Sequence, residues 1–592
     1  MGNMSKKKRQ NKAKQHDVSC QGGQVPINDV FDVVIVGGGA AGLASAVACA
    51  QSAPCPLRIG VFEAARRIGV PIMRSGNGRC NFSHRPLSAT TYYHAEFVQH
   101  VFDACIALDS KGCFGLACDD ALGKGKKASR QVAHDAIYSG VPCQVAHDAI
   151  PRDVLCQVAQ DATHSEAHDG QNNLEVVLAW FESLGLVWQE LAGSDGMLFP
   201  YSRKANSVLD VLRGALDAYG VECYTEAVVE QIDKPDATSD TTSDTTSDTT
   251  SASASKASQA RHKCFALEVQ QYGGSDEERR GRVYARKVVI ATGGASSIPE
   301  ANLLESCALH PKPWQAVLGP LTTTPSYKTL DGVRVQANLS IPARHFTEQG
   351  EVLFRPYGIS GIVVFNASRF AQPGDEMILD LVPSYSKEEL EALLTRRSRL
   401  LAQRNKREFL RGFVVDSLAQ VLLEAASLEA DSSEGSSYEA SFEGPSHEAD
   451  GSTNRGKANK PTHLSGGSTS GNQLLGNQAS SNQASSNQVC RSMLFDVDEI
   501  KRLAHVMKSF KLTVGTIADT RAAQVRRGGV DPSLVDACTL EVIDTPGLYL
   551  VGEALDVDAP CGGYNLHWAW TCGLVTGASV AHALFQGNKA QG

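Results

Sequence analysis

The sequence has no Cys-x-x-Cys pair and no cysteine–histidine cluster at zinc-finger spacing, although it carries 16 cysteines. That excludes the common zinc modules and predicts scattered, reduced thiols in a cytoplasmic protein with no metal site. A basic excess is also missing. Lysine and arginine number 56 against 65 acidic residues, a net charge of −9, which disfavours a nucleic-acid binder as a whole. No membrane span is expected: Val33 to Ala50 is uncharged, but glycines interrupt it and Pro54 and Pro56 follow. Only residues 1–29 are basic, through Lys6, Lys7, Lys8, Arg9, Lys12 and Lys14. Without an apolar run this segment reads as neither signal peptide nor anchor, and Lys6 spoils the Met1-Gly2 myristoylation pattern. We expect a solvated, disordered arm, with RNA or anionic-membrane contact as the sharper alternative. Cys113 and Cys118 have the spacing of a flavin disulfide reductase pair, but the second dinucleotide fingerprint that such an enzyme needs is absent.

What is present begins at Phe31. Val33 to Val36 is a β-branched apolar run suited to a strand buried in a parallel sheet. Gly37, Gly39 and Gly42 follow at G-x-G-x-x-G spacing, and Ala40 to Ala50 supplies a helix of small side chains able to lie close to a sheet. The first NH groups of such a helix lack intrahelical partners and its dipole is positive there, so a pyrophosphate is the natural occupant. Leu57 to Phe62 predicts the next strand. Glu63 closes it about 20 residues beyond the last glycine, where a carboxylate accepts the hydroxyls of an adenosine ribose.

Further along, Ser75 to Asn81 forms a glycine-rich polar loop in which Arg79 could add a charge-assisted bond to an anion. Residues of about 111–170 include QVAHDAI at Gln131 and Gln144 and QVAQDAT at Gln157, a period of 13 too short and polar for a solenoid core. Its His134 and His147, with His164 and His168, suggest metal, yet a surface insertion accounts for them better. A helix is expected over Leu174 to Leu184 and another near Val208 with Ser207 as its cap. Strands are expected within Val221 to Ile232, with Val229 placed to meet an adenine, then over Phe265 to Val269 and Val283 to Ala291. The last of these runs into the small-residue turn Thr292-Gly293-Gly294. Residues of about 234–262 and 427–492 are two more low-complexity insertions. Between them, short β-like runs from Ala301 to Pro383 predict a small barrel-like domain, followed by a helix capped at Ser386 and a helical run from Phe409 to Ala426. Finally Leu548 to Val551 enters a Gly552-Glu553 turn, and Gly562 and Gly563 open an apolar helix with Tyr564 and Asn565 in its first turn.

These motifs together, GGGAAG at Gly37, SGNGRCNFSH at Ser75, DGMLFPYSRKANSV at Asp195, ATGG at Ala291, GEVLFRPYGISG at Gly350, RRGGV at Arg526 and GLYLVGEALDVDAPCGGYNLHWAW at Gly547, resemble the BaiN/RdsA-like NAD(P)/FAD-dependent oxidoreductases. That family is also called aminoacetone-oxidase-type. The resemblance implies an α/β fold: a Rossmann-like, glutathione-reductase-type FAD-binding domain split by an inserted β-barrel and helical segment. Residues 30–300 and 514–592 would be its two parts and 301–513 the insert. It also implies FAD held by Gly37, Gly39, Ala41 and Gly42 at the pyrophosphate, Glu63 at the ribose, and Val229, Thr292 and Gly293 at the adenine side. Gly552 and Glu553 would lie by the pyrophosphate or ribityl chain, and Gly563, Tyr564 and Asn565 at the isoalloxazine.

This chain departs from the family pattern on the substrate side. Where the family reads T-H-x-G-x-S-G-P, Arg355 to Ile362 read RPYGISGI; Arg526 replaces a threonine and His567 a glutamine. Arg355, Tyr357 and His567 are therefore the candidate proton donors or carboxylate clamps, and no catalytic residue is assigned. The expected activity is hydride transfer through flavin N5 on a small-molecule substrate, an unsaturated lipid or steroid-like compound, with NAD(P)H as a transient electron donor. The rivals are an oxygen-using amine or aminoketone oxidase and, from another class, an RNA-associated flavoprotein.

Overall fold

The computed structural model describes residues 23–114, 169–193, 195–235, 261–272, 278–294, 298–432, 493–521 and 523–589. The basic arm up to residue 22, the period-13 repeat with its histidines, Cys118 and most of the other two low-complexity stretches lie outside these residues. The chain separates into two compact units, Met1–Ile378 with Leu512–Gly592, and Leu379–Lys511.

The first unit is built on a seven-stranded sheet. Strand Val30–Val36 runs parallel to Ile59–Glu63 on one side and to Glu278–Ile290 on the other, and Ile59–Glu63 in turn pairs parallel with Glu222–Thr225. Leu548–Leu550, from near the end of the chain, completes the parallel core against Val288 to Ile290. Val33, Val34 and Ile35 are fully buried, as a continuous apolar run in a sheet covered on both faces requires. Ala227–Asp233 and Phe265–Tyr272 form an antiparallel extension with the first half of Glu278–Ile290. The fold is thus the expected split Rossmann-like domain, its closing strand arriving some 250 residues after the strand it joins.

The Ala40–Ser52 helix shows why its side chains are small. A Cβ on Gly42 would lie 2.0 Å from the Gly37 carbonyl oxygen, and the helix also meets the Tyr564–Lys589 helix at van der Waals distance. There, a Cβ on Gly573 would approach Ala44 Cβ to 2.4 Å, and one on Gly577 would approach Ala48 Cβ to 2.7 Å. The alanines therefore serve two contacts, a sheet on one side and the closing helix on the other.

The inserted strands close into a six-stranded barrel, in the order Leu321–Thr324, Gly358–Ser360, Phe346–Arg355, Arg334–Ile341, Glu376–Asp380 and Phe510–Ile517. In the second unit, Lys387–Leu400 starts with a full capping box: Ser386 Oγ accepts the Glu389 NH and Glu389 accepts the Ser386 NH. Val497–Lys508 repeats the device with Asp496 and Glu499. Two local expectations are corrected. The helix expected to start near Val208 spans Ala205–Ala218, so Ser207 lies inside its first turn and bonds to Ser202 Oγ rather than capping it. The run from Phe409 becomes helical only over Asp416–Ser432, because a turn at Phe409 to Val414 precedes it.

Candidate active site

Four chain segments leave the sheet at one place. Val36 is in register with Phe62 and with Ile290, and Ile290 with Leu550, so four parallel strands end side by side. Their carboxyl ends carry the Gly37–Gly39 turn, Glu63, the Ala291–Gly294 turn and the Gly552–Ala554 turn. Ligands of open α/β sheets bind at such an edge.

The turns touch one another. Gly37, at φ +109°, passes so close to the Ala291 carbonyl that a Cβ would stand 2.3 Å from its oxygen and 3.1 Å from Thr292 N. Gly552, at φ +64°, faces Ala41 at 3.1 Å from its would-be Cβ. Glu63 accepts the Gly38 NH and the Ala65 NH, each at 2.7 Å, holding the fingerprint turn against its own strand end. Glu553 accepts the Gly294 NH at 3.2 Å; burial pushes its carboxyl up to about 7, against the pull of that NH and of Arg526. Val229 is buried on the outermost antiparallel strand beside a bulge.

These residues fit a dinucleotide. The Ala40–Ser52 helix has no side-chain cap and no acid in its first turn, so its leading NH groups are open to an anion. A Cβ on Gly39 or on Gly293 would meet nothing within 4 Å, which leaves free space on this side of both turns. Arg79 is exposed on a loop where Gly76, Asn77, Gly78 and Cys80 all take left-handed conformations, and its guanidinium lies over the Phe199 ring at 6.0 Å. Cys80 is buried and its thiol is pushed up to about 12, so it packs rather than reacts.

The second glycine turn, Pro560 to Tyr564, is pinned from four directions. The Asn565 side chain bonds back to Ala559 N and O and to Pro560 O, so it shapes the turn from within. Asn366 Oδ1 accepts the Cys561 NH at 2.9 Å. His84 Nδ1 lies 3.1 Å from the Gly562 carbonyl, which can only accept, so that nitrogen carries the proton. Tyr92 donates its hydroxyl to the Tyr564 carbonyl at 2.9 Å. Gly563 runs along the SGNGRCNFSH loop, with 2.5 Å from its would-be Cβ to the Ser83 carbonyl. Sequence reasoning missed His84, Tyr92 and Asn366 in this role, since each lies far along the chain from the turn it holds.

The three substrate candidates do not come together. His567 is fully buried: Nδ1 lies 2.9 Å from Ser83 Oγ and Nε2 2.7 Å from Asn173 Oδ1, and burial drives its imidazole down to about 3. Both nitrogens are engaged, leaving none for a substrate. Arg355 is half-buried on the barrel and pairs with Asp331 at 3.4 Å, and nearby Tyr357 is exposed with its carbonyl accepting the Thr323 NH.

A cluster that no motif announced lies next to the turn. Asp558, fully buried, accepts Arg369 Nε at 2.7 Å, Arg527 Nε at 2.6 Å and Arg527 Nη2 at 2.9 Å. It ties the barrel side of the unit to the strand Val525–Gly529 and to the closing turn. No group of three or more His, Cys, Asp or Glu that could hold a metal occurs among the described residues, and no helix among them is long and apolar enough to cross a membrane.

The chain is 24% identical over 558 residues to the 3-dehydro-bile acid delta(4,6)-reductase of Clostridium scindens, covering 92% of this chain and 98% of that one. It is 25% identical over 300 residues to the ribosomal RNA dihydrouridine synthase of Escherichia coli, covering 49% of this chain and 59% of that relative. Among solved structures, the 3-ketosteroid-delta4-(5alpha)-dehydrogenase of Rhodococcus jostii RHA1 aligns over 95% of this chain and 100% of its own length, at 12% identity and a TM-score of 0.37. Residues 124–579 match the family described as HI0933-like protein Rossmann domain, and the chain belongs to that family.

Proposed function

We propose that this FAD-dependent oxidoreductase is a reductase that saturates a carbon–carbon double bond conjugated to a carbonyl, in an unsaturated lipid or steroid-like substrate. The observation that carries the reading is the convergence of four strand-end turns at one sheet edge, with an uncapped helix start among them. Support comes from the relative that aligns over nearly its whole length and is named for such a reduction. The name of the Escherichia coli relative describes the same change, two hydrogens added across a double bond beside a carbonyl, on uridine in RNA. The chain spans about three fifths of that relative, so RNA is the second substrate class to test.

FAD, when bound, supplies two-electron hydride chemistry at its ring system. The chain's own residues would bind and orient it. Gly37, Gly39, Ala41 and Gly42 would take the diphosphate, with Arg79 an additional anion contact, and Glu63 would exchange its bond to Gly38 for the ribose hydroxyls. Val229, Thr292 and Gly293 would border the adenine side, Gly552 and Glu553 the middle of the cofactor, and Gly563 to Asn565 the ring. The start of the Tyr564–Lys589 helix would favour negative charge on its neighbour, an electrostatic stabilisation that needs no reorganisation. NAD(P)H would dock transiently as the electron donor, in a cytoplasmic setting.

The test is anaerobic. Protein reconstituted with FAD is bleached with NADH or NADPH, then mixed in a stopped-flow instrument with a 4,6-dien-3-one steroid, a uridine-containing ribosomal RNA fragment, or oxygen. Fast return of the visible band with the dienone is expected. Return with RNA alone moves the assignment to the RNA reading; bleaching by an aminoketone with fast return only in oxygen makes it an oxidase. Protein that stays colourless after reconstitution refutes the cofactor.

A further inference from the structure

Tyr564 is held more firmly than a side chain that merely fills space. Its ring stacks on His84, with centroids 4.3 Å apart and planes 28° apart, and meets Tyr92 edge-on at 6.1 Å. Its carbonyl is fixed by the Tyr92 hydroxyl. Its own hydroxyl has no hydrogen-bond partner among the described residues. A tyrosine this constrained ordinarily commits its hydroxyl to a protein partner.

A carboxylate approaches the same turn from the barrel. Glu348, half-buried on Phe346–Arg355, accepts Asn366 Nδ2 at 2.8 and 3.1 Å, while the other end of that amide holds the Cys561 NH. The amide therefore keeps Glu348 at a set place beside the Pro560 to Tyr564 turn. Burial, and next the charge of Glu348, push the Tyr564 phenol up to about 12. The carboxyl of Glu348 is itself raised by burial, opposed by Asn366 and by Arg369. At neutral pH the phenol keeps its proton.

We propose that Tyr564 is the catalytic proton donor of the reduction and that Glu348, fixed by Asn366, is a positioning residue whose charge beside the turn draws a proton back onto the phenolate after each transfer. This rests on the reductase reading. Saturating the double bond takes a hydride at the carbon β to the carbonyl, supplied by the reduced cofactor, and a proton at the α carbon. The Tyr564 O–H bond breaks as the α C–H bond forms from the enolate electron pair; the phenolate left behind regains its proton from solvent. Other candidates nearby do not suit the step. His84 has one nitrogen committed to Gly562 and is pushed down by burial, so it has no spare proton near neutrality. His567 is enclosed.

Tyr564→Phe retains the ring and its stack on His84. It should still take up FAD and be bleached by NAD(P)H, while return of the band with the 4,6-dien-3-one slows by about 10²- to 10⁴-fold more than bleaching does. Wild-type speed in that second step, or equal slowing of both steps, overturns the donor assignment. A readout free of catalysis tests Glu348: in the FAD-loaded protein labelled with ¹³Cζ-tyrosine, the resonance missing from Tyr564→Phe should titrate at lower pH in Glu348→Gln than in wild type, and an unmoved titration overturns its part. A wild-type protein that no conjugated ketone reoxidises sinks the reductase reading itself, whereas the variant results sink only the assignment.

Discussion

Removing the Asp558 carboxylate should destabilise the protein more than removing any exposed charge. Three N–H groups from two arginines converge on it, Arg369 Nη2 reaches its backbone carbonyl at 3.2 Å, and Arg527 Nη1 reaches the Arg369 carbonyl at 2.7 Å. The side chains of Arg369 and Arg527 are 6% and 22% exposed, so Asp558→Ala strands two guanidiniums with little water to replace their partner. Breaking a buried pair in this way costs about 3–5 kcal/mol, because the uncompensated charge remains. With about 2–4 °C per kcal/mol for a domain of 150–250 residues, the melting temperature should fall by roughly 6–20 °C, toward the lower figure in a unit of this size. The comparison is Arg334→Ala, which removes one partner of an exposed pair with Glu351 and should change stability by less than about 1 kcal/mol. Scanning calorimetry on both variants, with and without FAD, measures the difference. If Asp558→Ala melts within the range of Arg334→Ala, the cluster does not hold the closing turn to its surroundings and the account of that turn as pinned is wrong.

Glycine positions separate fold from cofactor. Gly39→Ala places its methyl in open space and should keep the melting temperature while lowering the FAD retained on gel filtration; Gly37→Ala, at φ +109° and against the Ala291 carbonyl, should lose both. Glu553 gives a pH signature in the apoprotein. Its folded value of about 7 lies above the ordinary 4.5, so the stability it contributes is full below that value and is lost as pH rises through 7. The amount is up to ~3 kcal/mol, and Glu553→Gln should flatten the melting temperature between pH 5 and 8. His567 acts in the opposite sense. Its folded value of about 3 means that stability present above 6.5 is lost as pH falls toward 3. His567→Gln should soften acid unfolding and leave the pH profile of turnover in place; a lost limb in that profile would return His567 to the chemistry.

Much was legible from neighbours a few residues apart. The apolar run Val33 to Val36, the glycine spacing after it and Glu63 declared a strand, a tight turn into an uncapped helix and an acid closing the next strand, because each depends on local geometry that spacing alone encodes. The capping box at Ser386 was equally plain, since its two bonds join residues three apart. Ser207 misled for the same reason: a hydroxyl at a helix start is only a cap if the backbone turns there, and Ser202 and Lys204 begin the turn earlier.

Side chains whose meaning depends on what crosses them could not be read this way. His567 looks like a polar residue beside a glycine turn, and only the approach of Ser83 and Asn173, 484 and 394 residues away in sequence, makes it a buried neutral ring. Asp558 and its two arginines share no spacing rule; burial decides that they pair, since a charge out of water must find an opposite charge. The sequence by itself determined that a first glycine turn at Gly37 to Gly42 and a second at Gly562 and Gly563 exist and which elements carry them. Tertiary structure alone decided that Ala41 would meet Gly552, and that His84, Tyr92 and Asn366 would brace the second turn, because contacts between distant segments follow from packing and desolvation rather than from chain order.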